Sequence, residues 1–293
     1  MRQNYKLILL VLVISLTGSI QASFKSLSAV SALSKGYAIT ADPIGLEALY
    51  KNPAGLDSLT QTTISTTHGS FFDNFLQATS FGIGLPLFDN YTLGILIPIY
   101  KVSNIPKTIE ISGRGVQTDT FEDLQGAAIV GISGTFLNPA IHLGFSGSYY
   151  THQLDTHHAT GFGLDAGIII DTSFGTIGAS VQDIGGTKLN WDTQTTEIIP
   201  QITHIGLTVD LPILDKLLTD ASFEKDKKTT YSLGIEKQLA PEFSLLAGIN
   251  HLEEKAEFTL GAQLTIDHIQ VNYAYSGHEE LGTCHKIGLQ FQL

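Results

Sequence analysis

Strict alternation of apolar and polar residues runs through most of the chain from about residue 61 onward. Between Glu257 and Ile266, Phe258, Leu260, Ala262, Leu264 and Ile266 fall on one face, and Glu257, Thr259, Gly261, Gln263 and Thr265 on the other. Ile269, Val271, Tyr273 and Tyr275 repeat the pattern in the next segment. Earlier, Ile205, Leu207, Val209 and Leu211 alternate with His204, Gly206, Thr208 and Asp210, and Ile141, Leu143 and Phe145 with His142, Gly144 and Ser146. A period of two belongs to half-buried strands, not to helices. About fourteen such segments follow one another, starting near residues 61, 75, 91, 125, 139, 159, 174, 200, 216, 229, 242, 255, 267 and 283. Their lengths cluster near the ~9–11 residues of a tilted membrane-spanning strand. Connectors such as Phe88-Asp89-Asn90 and Asn138-Pro139 are short, whereas residues 103–124 and 185–199 read as long polar loops. Short turns at one end and long loops at the other fit an all-β fold, an antiparallel up-and-down transmembrane β-barrel of about fourteen strands.

Soluble β-sandwiches alternate too, and the less apolar face separates the two classes. Here it is rich in Gly, Ser, Thr, Gln and Asn and poor in Lys and Glu, which suits a crowded lumen better than bulk water. Only 15% of residues are charged, against about 25% in a typical soluble domain. Past the N-terminus, no window approaches the ~20 apolar residues of a membrane helix.

The first residues point to export. Arg2 and Lys6 form a basic start, Leu7 to Leu16 is apolar except for Ser15, and Ile20-Gln21-Ala22 is an acceptable cleavage site. The expected organisation is a signal peptide over 1–22, an N-terminal hatch or plug over 23–59, and a barrel over 60–293. That places the mature protein in the bacterial outer membrane as a multi-pass protein with the lipid bilayer as partner. The chain has 28 acidic and 16 basic residues, a formal net charge of −12, and loss of Arg2 and Lys6 makes it more negative. Nucleic acid is therefore excluded as a partner on electrostatic grounds. A single cysteine, Cys284, excludes an intrachain disulfide framework.

The segment before the first strand has its own grammar. Asp42-Pro43 reads as a helix start, with Asp42 as N-cap and Pro43 in the first turn. Leu46, Leu49 and Tyr50 would form one face. A stop is expected near Lys51 or Asn52, because the residue before Pro53 is pushed out of the α region. Gly55 would then release the chain toward the wall.

The stretch from Ala41 to Leu56, ADPIGLEALYKNPAGL, resembles the N-terminal hatch of the FadL-type long-chain fatty-acid transporters. It is closer still to the related PorV/PorQ-type barrels, in which a stretch beginning near ADD runs through an aromatic residue to NPAGL. A second echo is Val181 to Gly186, a loop, and then Ile199 to Leu207. The resemblance implies a fourteen-stranded barrel whose N-terminal segment folds inside the lumen, with Asp42, Tyr50, Asn52, Pro53, Ala54 and Gly55 as hatch residues controlling it. It also implies a conduit for small hydrophobic molecules, or alternatively a non-transporting, secretion-associated partner of other envelope proteins. The chain is shorter than typical FadL-type transporters, which favours the PorV-like group. At the C-terminus Ile287, Leu289, Phe291 and Leu293 alternate to the last residue. The order of Lys286, Gly288, Phe291 and Leu293 resembles the terminal strand signal read by the barrel-assembly machinery.

Candidate chemistry is sparse. His142 and Ser146 lie four residues apart in one strand, roughly 13 Å and too far for a direct bond. His157 and His158 with Asp155 would need a loop to share a metal, because adjacent strand residues point to opposite faces. Asp119, Glu122 and Asp123 lack the spacing of a calcium loop. Trp191 reads as an interface residue, and Phe71-Phe72, Tyr149-Tyr150 and Tyr273/Tyr275 as aromatic girdles. No phosphate-binding loop is present. No catalytic residue, metal or cofactor is expected, and the protein is not expected to be an enzyme.

Overall fold

The computed structural model describes residues 29–87, 90–111, 114–136, 141–253, 255–278 and 282–293. The expected signal peptide and residues 23–28 of the expected hatch lie outside the described residues. The strands are β1 (Thr63–Phe71), β2 (Leu76–Leu87), β3 (Tyr91–Ile111), β4 (Arg114–Phe136), β5 (Ile141–Leu154), β6 (His157–Thr172), β7 (Gly175–Gln182) and β8 (Thr187–Trp191). They continue as β9 (Thr196–Ile199), β10 (Ile202–Asp210), β11 (Lys216–Glu224), β12 (Thr230–Ala240), β13 (Phe243–Asn250), β14 (Glu257–Ile266), β15 (Ile269–His278) and β16 (Gly282–Gln292). Every pairing is antiparallel. β1 pairs with β16 and β5 with β6, so the sheet closes on itself.

The closed wall has fourteen staves, as the alternation predicts, because β8 and β9 continue β7 and β10. Ala166 pairs with Val181, whereas Ala159 pairs with Trp191. Seven residues back along β6 thus correspond to ten along its partner, and the excess of three is a bulge at residues 183–186. Asp183 at φ 49°, Gly185 at 79° and Gly186 at 81° make the turn. Two segments read from sequence as loops are strands instead. β4 begins at Arg114 rather than near 125, and residues 187–191 and 196–199 form a hairpin. Their polar composition hid them: the extension of β4 beyond the wall needs no apolar face, and the hairpin buries little more than Thr187, Leu189 and Ile199.

The start of β1 and the end of β16 meet at one rim, where Leu293 N donates to Thr62 O at 2.8 Å. At the opposite end the β3–β4 hairpin outruns its neighbours. β2 pairs with β3 only as far as Val102, and β5 pairs with β4 only as far as Asp123, so residues 103–111 and 114–122 project beyond them as a two-stranded ribbon about 30 Å long. Along the wall, outward positions carry large apolar groups, among them Phe81, Phe145, Phe162 and Phe258, all more than half exposed. The girdle expectation holds for Tyr149 and Tyr273, which are exposed, and fails for Phe71 and Tyr150, which face in and are buried.

The core lies between wall and plug. Helix α1 (Val30–Ser34) and two 3-10 turns, Gly45–Tyr50 and Pro53–Ser58, fill the lumen. Leu46, Leu49 and Leu56 pack with Leu96 and Ile129 of the wall, and Val30 and Leu33 join Phe71, Leu76 and Tyr100. Each such leucine contributes ~2 kcal/mol by leaving water. What lets them in is a girdle of luminal glycines aligned across neighbouring strands: Gly84 with Gly94, Gly94 with Gly131, Gly144 with Gly167, Gly178 with Gly206, and Gly234 with Gly248. A methyl group at Gly144 would overlap the Pro53 carbonyl carbon, at Gly178 the Thr40 carbonyl, and at Gly248 the Gly36 amide. Glycine inside a strand marks such close backbone approach.

Gly248→Val therefore leaves the outer face intact but expels backbone from the lumen, at about 1–3 kcal/mol as for other overpacked sites. The expected result is an unchanged heat-modifiable barrel band on semi-native gels with faster protease cleavage of the plug. Gly115→Val, where nothing lies within 4 Å of the added group, should change neither.

Candidate functional site

The hatch residues converge, with one change of role. The first 3-10 turn starts at Gly45, with Ile44 as its N-cap residue, so Asp42 caps no helix. It is instead drawn into an ionic cluster. Lys35 Nζ lies 3.0 Å from Asp42 Oδ2 and 2.8 Å from Glu236 Oε2, and Lys216 Nζ lies 2.7 Å from Asp42 Oδ1. An exposed cap would have been worth about 1 kcal/mol. Leaving Lys35 buried without its carboxylate would cost more, and the cations win. The turn ends at Lys51, as the following Asn52-Pro53 requires.

Asn52 is fully buried and serves three partners. Its side-chain oxygen accepts from Ala54 N at 3.1 Å, while Nδ2 donates to Thr40 O at 2.7 Å and to Ile168 O on the wall at 3.2 Å. Pro53 opens the second 3-10 turn, where its missing N–H costs nothing. Gly55 packs on Pro43, with no room there for a side chain. Tyr50 is buried, and its carbonyl accepts from Gln182 Nε2 at 2.6 Å. The Asn-Pro-Ala-Gly box is thus a knot that ties three plug segments to β6.

Other anchors carried no sequence motif. Asp220 on β11 accepts from Thr40 N at 3.0 Å and Thr40 Oγ1 at 2.6 Å, and its Oδ2 lies 2.8 Å from Lys51 Nζ. Glu47 accepts from Val30 N at 2.8 Å and Ser31 N at 2.9 Å, closing the start of α1. Lys286 donates to Ala29 O at 3.1 Å with its ammonium 5.0 Å from the Phe71 ring centre. Asp57 lies 2.7 Å from His142 Nδ1 and accepts from Thr135 Oγ1 at 2.7 Å. The signal available for Asp220, Glu236 and Lys286 was parity: each is a charged residue on an inner face otherwise made of small neutral groups. Gly288 also faces inward, beside Val30, while Phe291 and Leu293 face out on the last strand.

Above the plug, toward the far rim, lies a cavity of about 680 Å³. Its floor includes Ala29, Ala32, Ile39 and Tyr50. Its wall includes Gln182, His204, Ser222 and Asn250, and the turn residues Lys227, Lys228 and Glu253 edge its mouth. His204 is held on both sides, with Nδ1 2.7 Å from Ser222 Oγ and Nε2 2.9 Å from Gln182 Oε1.

The other candidates are dispersed. Ser146 donates to Asp165 at 2.8 Å, while His142 belongs to Asp57 and to Asp171, 3.2 Å away. His157 and His158 both turn to Asp192, and Asp155 to Lys107. Glu122 pairs with Lys101 and Asp123 with His152. Trp191 donates to Glu197 at 3.1 Å and packs on His152, with ring centres 4.8 Å apart. The 183–186 bulge is pinned inward, because Asp183 accepts from Tyr150 OH at 2.9 Å and Thr187 Oγ1 at 2.7 Å.

No protein-family model and no curated protein sequence matches the chain. Among solved structures, the Pseudomonas putida toluene transporter TodX superposes with a TM-score of 0.63 at 12% identity, over 92% of this chain and 99% of that one. A Pseudomonas aeruginosa FadL homologue superposes at 0.55 with 9% identity, over 90% of this chain and 98% of that one. In fold, this chain is a FadL-like barrel. At such identities the likeness is one of fold, and the ionic anchoring of this FadL-like barrel is described by its own residues.

That anchoring has a pH signature. Burial alone pushes the Asp42 carboxyl up, but Lys35 and Lys216 outweigh it and hold the group below the ordinary carboxylate value. Burial likewise pushes Lys35 down, yet Asp42 and Glu236 outweigh it and hold the ammonium above the ordinary lysine value. A depressed carboxylate stabilises above its unfolded value of about 3.9 and loses this as pH falls through the folded value. A raised ammonium stabilises below about 10.4 and loses this as pH rises through the folded value. Through this cluster, protease cleavage of the plug should accelerate below about pH 5, as Asp42 takes up a proton, and again above about pH 10, as Lys35 loses one. Asp220→Ala, which strands the buried Lys51 ammonium, should accelerate it throughout, at about 3–5 kcal/mol of docking energy.

Proposed function

We propose that this protein is an outer-membrane barrel that conducts small hydrophobic molecules across the outer membrane, with the N-terminal plug as its gate and no chemistry performed on what passes. The supporting observation is a lumen closed by residues 29–59 directly beneath a cavity that reaches the far rim. A wall whose outward residues are Phe, Ile and Leu suits a hydrocarbon environment, and the toluene transporter shares the fold. Export by a signal peptide cleaved near Ala22 and insertion through a terminal signal at Gly288, Phe291 and Leu293 complete the reading. Asp42, Tyr50, Asn52, Pro53, Ala54 and Gly55 hold the gate shut through the bonds described above.

A second reading, a PorV/PorQ-like partner barrel, draws support from the 103–122 ribbon, where Ile109, Ile111 and Val116 stand exposed. Excising residues 104–121 separates the two: a partner barrel loses co-purifying envelope proteins, whereas a conduit keeps its uptake.

A cross-link tests the gate. A Cβ at Gly288 would lie 3.7 Å from the Val30 Cβ, within the ~3.5–4.5 Å of a disulfide. In a Cys284→Ser background, Val30→Cys with Gly288→Cys should form a bond that staples α1 to β16. Cellular uptake of labelled toluene should fall at least about fivefold on oxidation, since a stapled plug removes the open state, and recover on reduction. Uptake unaffected by oxidation would dismiss plug movement as the gating step.

A further inference from the structure

Charge, more than size, separates the molecules the luminal cavity would accept. Three lysines and three glutamates line it: Lys51, Lys227 and Lys228 against Glu224, Glu253 and Glu257. The lysines are committed. Lys227 Nζ lies 2.7 Å from Glu224 Oε1, Lys51 is held by Asp220 and donates to Tyr37 O at 2.6 Å, and Lys228 is engaged as well. With Asp220 behind Lys51, the acids outnumber the bases around the space. His204 adds a polar surface whose two nitrogens are already taken by Ser222 and Gln182.

An entering carboxylate would have to shed water, and it would find Lys51 and Lys227 already held by a nearer acid or carbonyl. A neutral molecule pays no such desolvation cost. Its apolar part can rest on Ala29, Ala32 and Ile39, and a single hydroxyl can meet Asn250, whose Oδ1 accepts from Ser232 at 2.7 Å. A cavity of about 680 Å³ holds one molecule of that size with ease. We infer that the cavity selects neutral hydrophobic molecules, including those with one hydroxyl group, and rejects their carboxylate counterparts. The inference rests on the conduit reading and names its substrate class.

The test uses a shape-matched pair, 4-methylbenzyl alcohol and 4-methylbenzoate, at pH 7.5. Saturation-transfer NMR on the purified full-length barrel in detergent, with empty micelles subtracted, reports binding, and uptake by cells producing the protein reports passage. The expected result is that the alcohol binds and enters at least tenfold better than the carboxylate. Glu224→Gln, which releases the Lys227 ammonium, should narrow that ratio while the barrel still shows its heat-modifiable band. Equal or better binding and uptake of the carboxylate by the unaltered protein would overturn the selectivity while leaving the conduit in place. Failure of both molecules to bind or enter would overturn the conduit reading, and the selectivity with it.

Discussion

The missing side chains of the luminal glycines govern the rest of this structure. A fourteen-stranded wall encloses a space wide enough for a channel, and ordinary side chains pointing inward would meet each other, not a folded segment. Because Gly144, Gly167, Gly178, Gly234 and Gly248 present bare backbone, the plug main chain lies against the wall. Distances then become short enough for Asn52 to donate to wall backbone at Ile168 O, and for Asp220 and Thr176 to bond plug backbone, the last donating to Ala41 O at 2.8 Å. The in-register pairing of the glycines gathers them into patches on which the plug backbone sits.

On those patches the plug is held by polar contacts that are individually costly to bury. Lys35 and Lys286 are among the least exposed groups in the molecule and Lys51 is buried too, and each stays charged or bonded because an acid, a carbonyl or a ring sits against it. Such networks add little net stability over an apolar core, but breaking one partner is expensive. That combination suits a closure which must be specific in register yet separable from the wall without unfolding it. The leucines supply adhesion and the charges supply position.

The wall was legible in the sequence because its physics is local. Alternation is a direct consequence of strand geometry, and thirteen of the expected strand starts fall within a few residues of the observed ones, as with 216 for Lys216 and 242 for Phe243. The 103–122 ribbon escaped because strands that pair only with each other need no apolar face. The Asn52 box was visible by resemblance and Pro53 by its effect on the chain, but the role of Asp42 was not. Whether an aspartate caps a turn or joins a salt bridge depends on Lys216, 174 residues away, and no local pattern encodes that contact. The glycines could be read as signs of a crowded lumen, but their alignment across strands requires the strand register.

The central claim is that the plug, and not the wall, closes the lumen. Ion conductance across planar bilayers measures this most directly, comparing the intact protein with a variant lacking residues 29–59. The intact barrel should insert without steady conductance, and the shortened one should show stable open-channel steps. Equal, stable steps from the intact protein would contradict a plugged lumen and the gating role built on it.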